Sequence, residues 1–258
     1  MASTDTSAPL AYEDADFLAS DDARPLRIIA EYLAPLRGFR RAHVHDTIVF
    51  FGSARVSDTG PMGRYYDEAR ELARLITVWS KSLSSHVHRY VVCSGGGGGI
   101  MEAANRGASE AGGRTVGLNI SLPREQRPNP YLTRELSFEF HYFFMRKLWF
   151  AELARALIVF PGGFGTLDEL TEILTLAQTR KLDRPIPIIL YGSEFWREII
   201  NFEALIRHGM ISREDLQLFQ FADTPASALS LLQASLTPQS SEPTPSVAHA
   251  RSASEPNG

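Results

Sequence analysis

Between residues 47 and 190 the chain keeps returning to one unit, a short continuous apolar run followed by a stretch of helical spacing. The apolar runs are 47–51, 90–93, 115–120, 136–140, 156–160 and 186–190. The helical patterns are 64–80, 100–111, 142–153 and 167–180, with two more at 195–208 and 225–235. A strand with one wet face alternates polar and apolar residues, whereas strands buried on both faces read as unbroken apolar runs. Such strands alternating with amphipathic helices predict an α/β fold: a doubly wound parallel sheet with helices on both faces.

The 258 residues suit one domain of ordinary size, expected over residues 24–236 and including an N-terminal amphipathic helix at 25–39. Residues 1–23, rich in Ser, Thr, Ala and Asp, and residues 237–258, rich in Pro and Ser, are expected to be disordered tails. The formal charge is −4, and its 26 basic and 30 acidic residues are spread along the chain, so nucleic acid is not an expected partner. No run reaches the ~20 apolar residues of a membrane span, and the acidic N-terminus has no signal-peptide pattern. One cysteine, Cys93, excludes an internal disulfide and predicts a cytoplasmic protein.

Three loops follow strand-like runs, at the carboxyl ends where open parallel sheets bind ligands. They are Gly52-Ser53-Ala54-Arg55, then Ser94-Gly95-Gly96-Gly97-Gly98-Gly99, then Pro161-Gly162-Gly163-Phe164-Gly165-Thr166-Leu167-Asp168-Glu169. A glycine turn opening a helix presents bare N–H groups and a positive dipole end, so a phosphate-bearing small molecule is the expected ligand. The first turn lacks the G-x-G-x-x-G of dinucleotide folds, and no Gly-Lys-Ser/Thr of a P-loop follows the second. Thr166 and Glu169 also fit a capping box, which would explain both without chemistry. On that reading Asp168 points away and favours the helix dipole. Arg146 and Lys147 interrupt an aromatic helix, and a cation there needs a carboxylate or a ligand as partner. His43 and His45, like His86 and His88, have no cysteine or acidic cluster to complete a metal site, so none is expected.

With these motifs, and with Met145-Arg146-Lys147 and Ile100-Met101-Glu102, the chain resembles the Lonely Guy (LOG) family of Rossmann-like phosphoribohydrolases over about residues 46–234. Its members are often labelled lysine decarboxylases, and the extra N-terminal helix makes this chain similar to the longer bacterial type. The resemblance implies hydrolysis of the N-glycosidic bond of purine nucleoside 5′-monophosphates, AMP or N6-substituted cytokinin nucleotides, to free base and ribose 5-phosphate. It implies Arg146 and Glu169 as the catalytic pair, and the turn of Gly162, Gly163, Gly165 and Thr166 as the 5′-phosphate site. Gly96, Gly97, Gly98, Gly99, Met101, Glu102 and Lys147 would line the nucleotide site, with Ser53 and Arg55 on its edge. It further implies a homodimer and no cofactor. A nucleotide-binding or carrier protein of the same fold is the alternative, since such glycine turns also serve non-catalytic binding.

Overall fold

The computed structural model describes residues 9–83, 88–122, 127–182 and 184–236. Seven parallel strands form one sheet in the order β4-β3-β2-β1-β5-β6-β7. They are β1 (Thr47–Phe51), β2 (Val91–Ser94), β3 (Thr115–Ile120), β4 (Ser137–Phe140), β5 (Ala154–Val159), β6 (Ile188–Tyr191) and β7 (Gln220–Ala222). The chain starts in the middle at β1, winds outward through β2, β3 and β4, then returns to pair β5 with the other side of β1. A crevice opens where the winding reverses, at the carboxyl ends of β1 and β5.

Side-chain alternation divides the core in two. Ile48 and Phe50 point to the side packed by α3 (Gly63–Ser82), α4 (Ile100–Glu110) and α9 (Pro225–Leu236). Val49 and Phe51 point to the side packed by α2 (Arg24–Arg41), α5 (Phe143–Glu152) and α6 (Phe164–Gln178). At the opposite end from the crevice, buried Asp46 accepts from Tyr90 N at 2.7 Å and pairs with Arg89 at 3.2 Å and Arg155 at 3.4 Å. One carboxylate thereby ties the starts of β1, β2 and β5, and two guanidiniums offset its burial.

The doubly wound parallel sheet stands as expected, and several boundaries differ for local reasons. The tail expected to be disordered over 1–23 carries a short helix, α1 (Ala15–Ala19), capped by Asp14 and held to α2 by Arg27, which donates to the carbonyls of Leu18 and Ser20. Residues 1–8 and 237–258, the rest of the two tails, lie outside the described residues. The single helix expected at 195–208 is two, α7 (Ser193–Ile199) and α8 (Phe202–Arg207). Asn201 breaks it by accepting from Ala204 N at 2.8 Å, the preferred behaviour of Asn at a helix start. Strand β7 went unread because three residues, one of them Gln, carry no periodic signal.

Helix α2 acts on α5 directly. The Glu31 carboxylate accepts from the backbone N–H of His141 at 2.7 Å and of Tyr142 at 3.2 Å, at the start of α5. The Trp149 indole donates to Glu31 O, and Tyr32 stacks on the same indole at 5.5 Å. Because an acid at a helix N-terminus meets both bare N–H groups and the dipole, Glu31→Ala is expected to lower stability by about 1–2 kcal/mol. Chemical denaturation measures this, and an unchanged midpoint would count against the clamp.

Candidate functional site

Backbone hydrogen bonds knit the three glycine loops together at the crevice. Ser53 N donates to Pro161 O at 3.0 Å, and Ile100 N donates to Ser53 O at 3.1 Å. Gly99 has φ +65°, and a Cβ there would lie 2.2 Å from Ser53 O, so no other residue lets these loops meet. Asn129 steadies the second loop from behind: its N–H donates to Gly96 O at 2.8 Å, and its amide lies 3.1 Å from Gly96 O and 3.0 Å from Gly97 O.

Above the knot lies a cavity of about 680 Å³, lined by Ser53, Arg55, Gly95, Met101, Arg146, Gly162, Gly163, Gly165, Thr166 and Glu169, with Phe164 and Ile199 also on its wall. Helix α6 begins inside the glycine turn, with Gly163 as its N-cap. The capping box is therefore corrected: Thr166 sits in the first helical turn, where its own N–H donates to Gly163 O, and its side chain caps nothing. Glu169 is a turn further along, buried. A Cβ on Gly163 or Gly165 would meet nothing within 4 Å, so no protein atom requires glycine at either position. Among the described residues, the N–H groups of Phe164 and Gly165 have no acceptor. The turn is open, bare and at the positive end of a helix, which suits an anion.

Arg146 faces that turn across the cavity. Its Nε donates to Leu118 O at 2.7 Å, Nη1 lies 3.6 Å from Glu169 Oε1, and the guanidinium stacks 4.8 Å from the Phe150 ring centre. Gly95 packs against it so closely that an added Cβ would sit 2.6 Å from Nη2. Burial pushes the Arg146 pKa down, with Glu169 opposing, but an arginine stays cationic throughout the physiological range.

Lys147 turns the other way. Its Nζ lies 2.6 Å from Glu172, 2.9 Å from Asp168 and 3.8 Å from Glu169. The structure places it behind Glu169 rather than on the cavity wall, and Asp168, expected to serve only the dipole, is one of its partners. These carboxylates outweigh burial and hold the Lys147 ammonium above its ordinary pKa. Glu102 accepts from the Tyr66 hydroxyl at 2.9 Å. Gly96, Gly97, Gly98 and Gly99 shape the floor behind Gly95, outside the lining of the cavity. The residues that sequence reasoning missed are Asn129 and Glu172. An isolated Asn-Pro pair and one acid on an acidic helix face give no signal until the fold brings them in.

Glu169 is the perturbed group of the site. Burial raises its carboxyl to about 7, against the pull of Lys147 and Arg146. Among the described residues no group of His, Cys, Asp and Glu is arranged to hold a metal ion. His86 lies outside the described residues.

A family model described as "Possible lysine decarboxylase" matches residues 101–232, half of the chain. The chain belongs to that family, the LOG family. Among LOG relatives, the cytokinin riboside 5′-monophosphate phosphoribohydrolase LOG of Oryza sativa subsp. japonica is 27% identical over 190 residues, 72% of each chain. The phosphoribohydrolase LOG4 of Arabidopsis thaliana is 26% identical over 179 residues, 68% of this chain and 76% of that one. The crystal structure of TM1055 superposes with a TM-score of 0.53 at 23% identity, over 73% of this chain and 99% of that one. The molybdenum cofactor binding protein of Rippkaea orientalis superposes with a TM-score of 0.51 at 18% identity, over 73% and 96%. At such identities the two structures speak for the fold alone.

The raised Glu169 carboxyl links folding to pH. Its folded value lies above the ordinary 4.5, so proton binding favours the native state; that contribution is complete below the ordinary value and is lost as pH rises through about 7. Glu169→Gln carries no such titration. The difference in melting temperature, variant minus parent, should therefore rise between about pH 5 and 8. A difference that stays flat across that range would place the carboxyl in an ordinary environment.

Proposed function

We propose that the protein hydrolyses the N-glycosidic bond of purine nucleoside 5′-monophosphates, AMP or its N6-substituted cytokinin relatives, releasing the base and ribose 5-phosphate. The observation that carries this reading is the buried Glu169–Arg146 pair facing one cavity with the bare start of α6. In it, the N–H groups of the turn from Gly162 to Gly165, together with the Thr166 hydroxyl, hold the 5′-phosphate. Ser53 and Arg55 border the nucleotide, and Met101 packs beside it. Binding the unreactive phosphate positions the reacting bond.

Cleavage leaves positive charge on the ribose and negative charge on the departing base. The Glu169 carboxylate stabilises the first and orients the attacking water. Arg146, held by Leu118 O and Phe150, polarises the nucleotide without giving up a proton. Lys147 becomes a positioning residue: bound to Asp168 and Glu172, it supports the ionised form of Glu169 from behind.

The family's description as a possible lysine decarboxylase fits these residues less well. A decarboxylase using pyridoxal phosphate needs a lysine that readily loses its proton to form a Schiff base. The chain has only Lys81, Lys147 and Lys181. Lys147 is locked as an ammonium by carboxylates, and Lys81 donates to the carbonyls of Ala111 and Gly112 at the end of α4.

The reading extends to a homodimer. Phe143 and Phe144 on α5, and Phe164 at 92% exposure on the rim of the cavity, are large apolar side chains left open to solvent, and exposed apolar groups of this size favour burial against a partner. We take the protein as cytoplasmic, in keeping with its single buried thiol, and with neither nucleic acid nor membrane as partner. No described helix is long and apolar enough to cross a membrane. Light scattering should give twice the chain mass, and Phe143→Ser with Phe144→Ser should shift it toward the monomer; a parent already monomeric at micromolar concentration removes the dimer.

Incubation with AMP, followed by chromatography, should yield free adenine. Glu169→Ala should lower turnover by about 10² or more, with the fold retained. Because the ionised carboxylate is the active form, kcat/KM should rise with pH along a limb near 7. Nucleotide recovered intact after long incubation would favour a carrier, and equal rates for variant and parent would remove Glu169 from the chemistry.

A further inference from the structure

A second basic cavity lies at the amino-terminal end of the sheet, the end opposite the crevice. It measures about 420 Å³, and its wall includes Arg37 and Arg41 of α2, Arg114 just before β3, and Glu135 just before β4. Ala34, Gly38 and Ala42 complete the wall with small residues. Arg114 is fixed in place, since its Nη1 donates to Ala42 O at 3.2 Å and lies 3.8 Å from Glu135. Among the described residues Glu135 is the only acid on this wall, and its side chain is 61% exposed.

Positive charge outweighs negative on this wall. Several arginines of the fold meet carboxylates: Arg70 with Glu110, Arg74 with Glu71, Arg89 and Arg155 with Asp46, Arg213 with Glu203. Among the described residues, neither Arg37 nor Arg41 has such a partner. They stand one helical turn apart, a spacing at which like charges repel and weaken a helix. Nearby His88 reports the same positive potential, its pKa pushed down first by burial and then by Arg114 and His43. A chain of net charge −4 thus keeps three guanidiniums around one hollow against a single exposed acid.

We infer that this cavity is a second anion site, taking a phosphate-bearing small molecule through Arg37, Arg41 and Arg114. Guanidiniums present paired donors that match phosphate oxygens, and two or three of them around one group give charge-assisted hydrogen bonds. The volume is within the range of sites for small ligands, and the small-residue wall leaves room for the organic part of a phosphate ester. The site is separate from the crevice and does not depend on the proposed hydrolysis.

Calorimetric titration of the full chain with inorganic pyrophosphate tests this directly. The parent should show two binding events, one at the α6 turn and one at this cavity. In Arg37→Ala/Arg41→Ala the second should weaken about tenfold or more, and Arg114→Gln should weaken it too. The unliganded double variant should melt close to the parent, because the lost repulsion offsets the lost favourable charge of Arg41 at the end of α2, and its release of adenine from AMP should be unaltered. A parallel titration with a nucleoside 5′-diphosphate separates a bare phosphate site, which binds both probes alike, from one that also grips the organic part. An isotherm of the double variant that overlays the parent's overturns the inference, as does a parent with a single event that survives both substitutions.

Discussion

The backbone of Ser53 holds the site together. Its N–H reaches the loop after β5, and its carbonyl is met by the first residue of α4, so loops from three strands share one residue's backbone. The arrangement requires the close approach at Gly99 and the pairing of β1 between β2 and β5. Given those, the glycine turns converge on one crevice instead of serving separate helices. The winding reversal at β1 creates the crevice, and the Ser53 bonds set its width.

Within that frame the electrostatics follow from unequal burial. Glu169 is buried between a cation on the cavity side, Arg146, and a cation behind it, Lys147. Asp168 and Glu172 occupy most of the ammonium's bonding capacity. What remains is too weak to offset desolvation, and the carboxyl is left near neutrality. A glutamate poised there can change its charge readily and needs little help from a ligand to do so. That is the property expected of a group that meets developing charge.

Much of the sheet was legible because strands buried on both faces leave an unmistakable apolar run; β1 and β3 match their expected spans residue for residue. Boundaries next to glycine were not. Helix α6 starts three residues before its apolar pattern does, since Phe164 and Gly165 enter the helix without contributing to its buried face. The capping box failed for that reason: local spacing could not reveal where the first turn begins. The proximity of Arg146 to Glu169 was visible only as two motifs awaiting a common cavity. Lys147 read as a neighbour of Arg146 in sequence, yet consecutive helix residues point in different directions, and its three carboxylate partners all come from α6.

The Glu31 clamp bears on how the protein can be divided. Helix α2 lies ahead of every motif shared with the family, and before the span matched by the family model. Yet α2 supplies the carboxylate that caps the start of α5 and the ring that covers Trp149, three residues from Arg146. A fragment cut to the shared region would keep every motif while losing the brace on the helix that bears its arginine. Ancestry and mechanical support draw different borders in this chain.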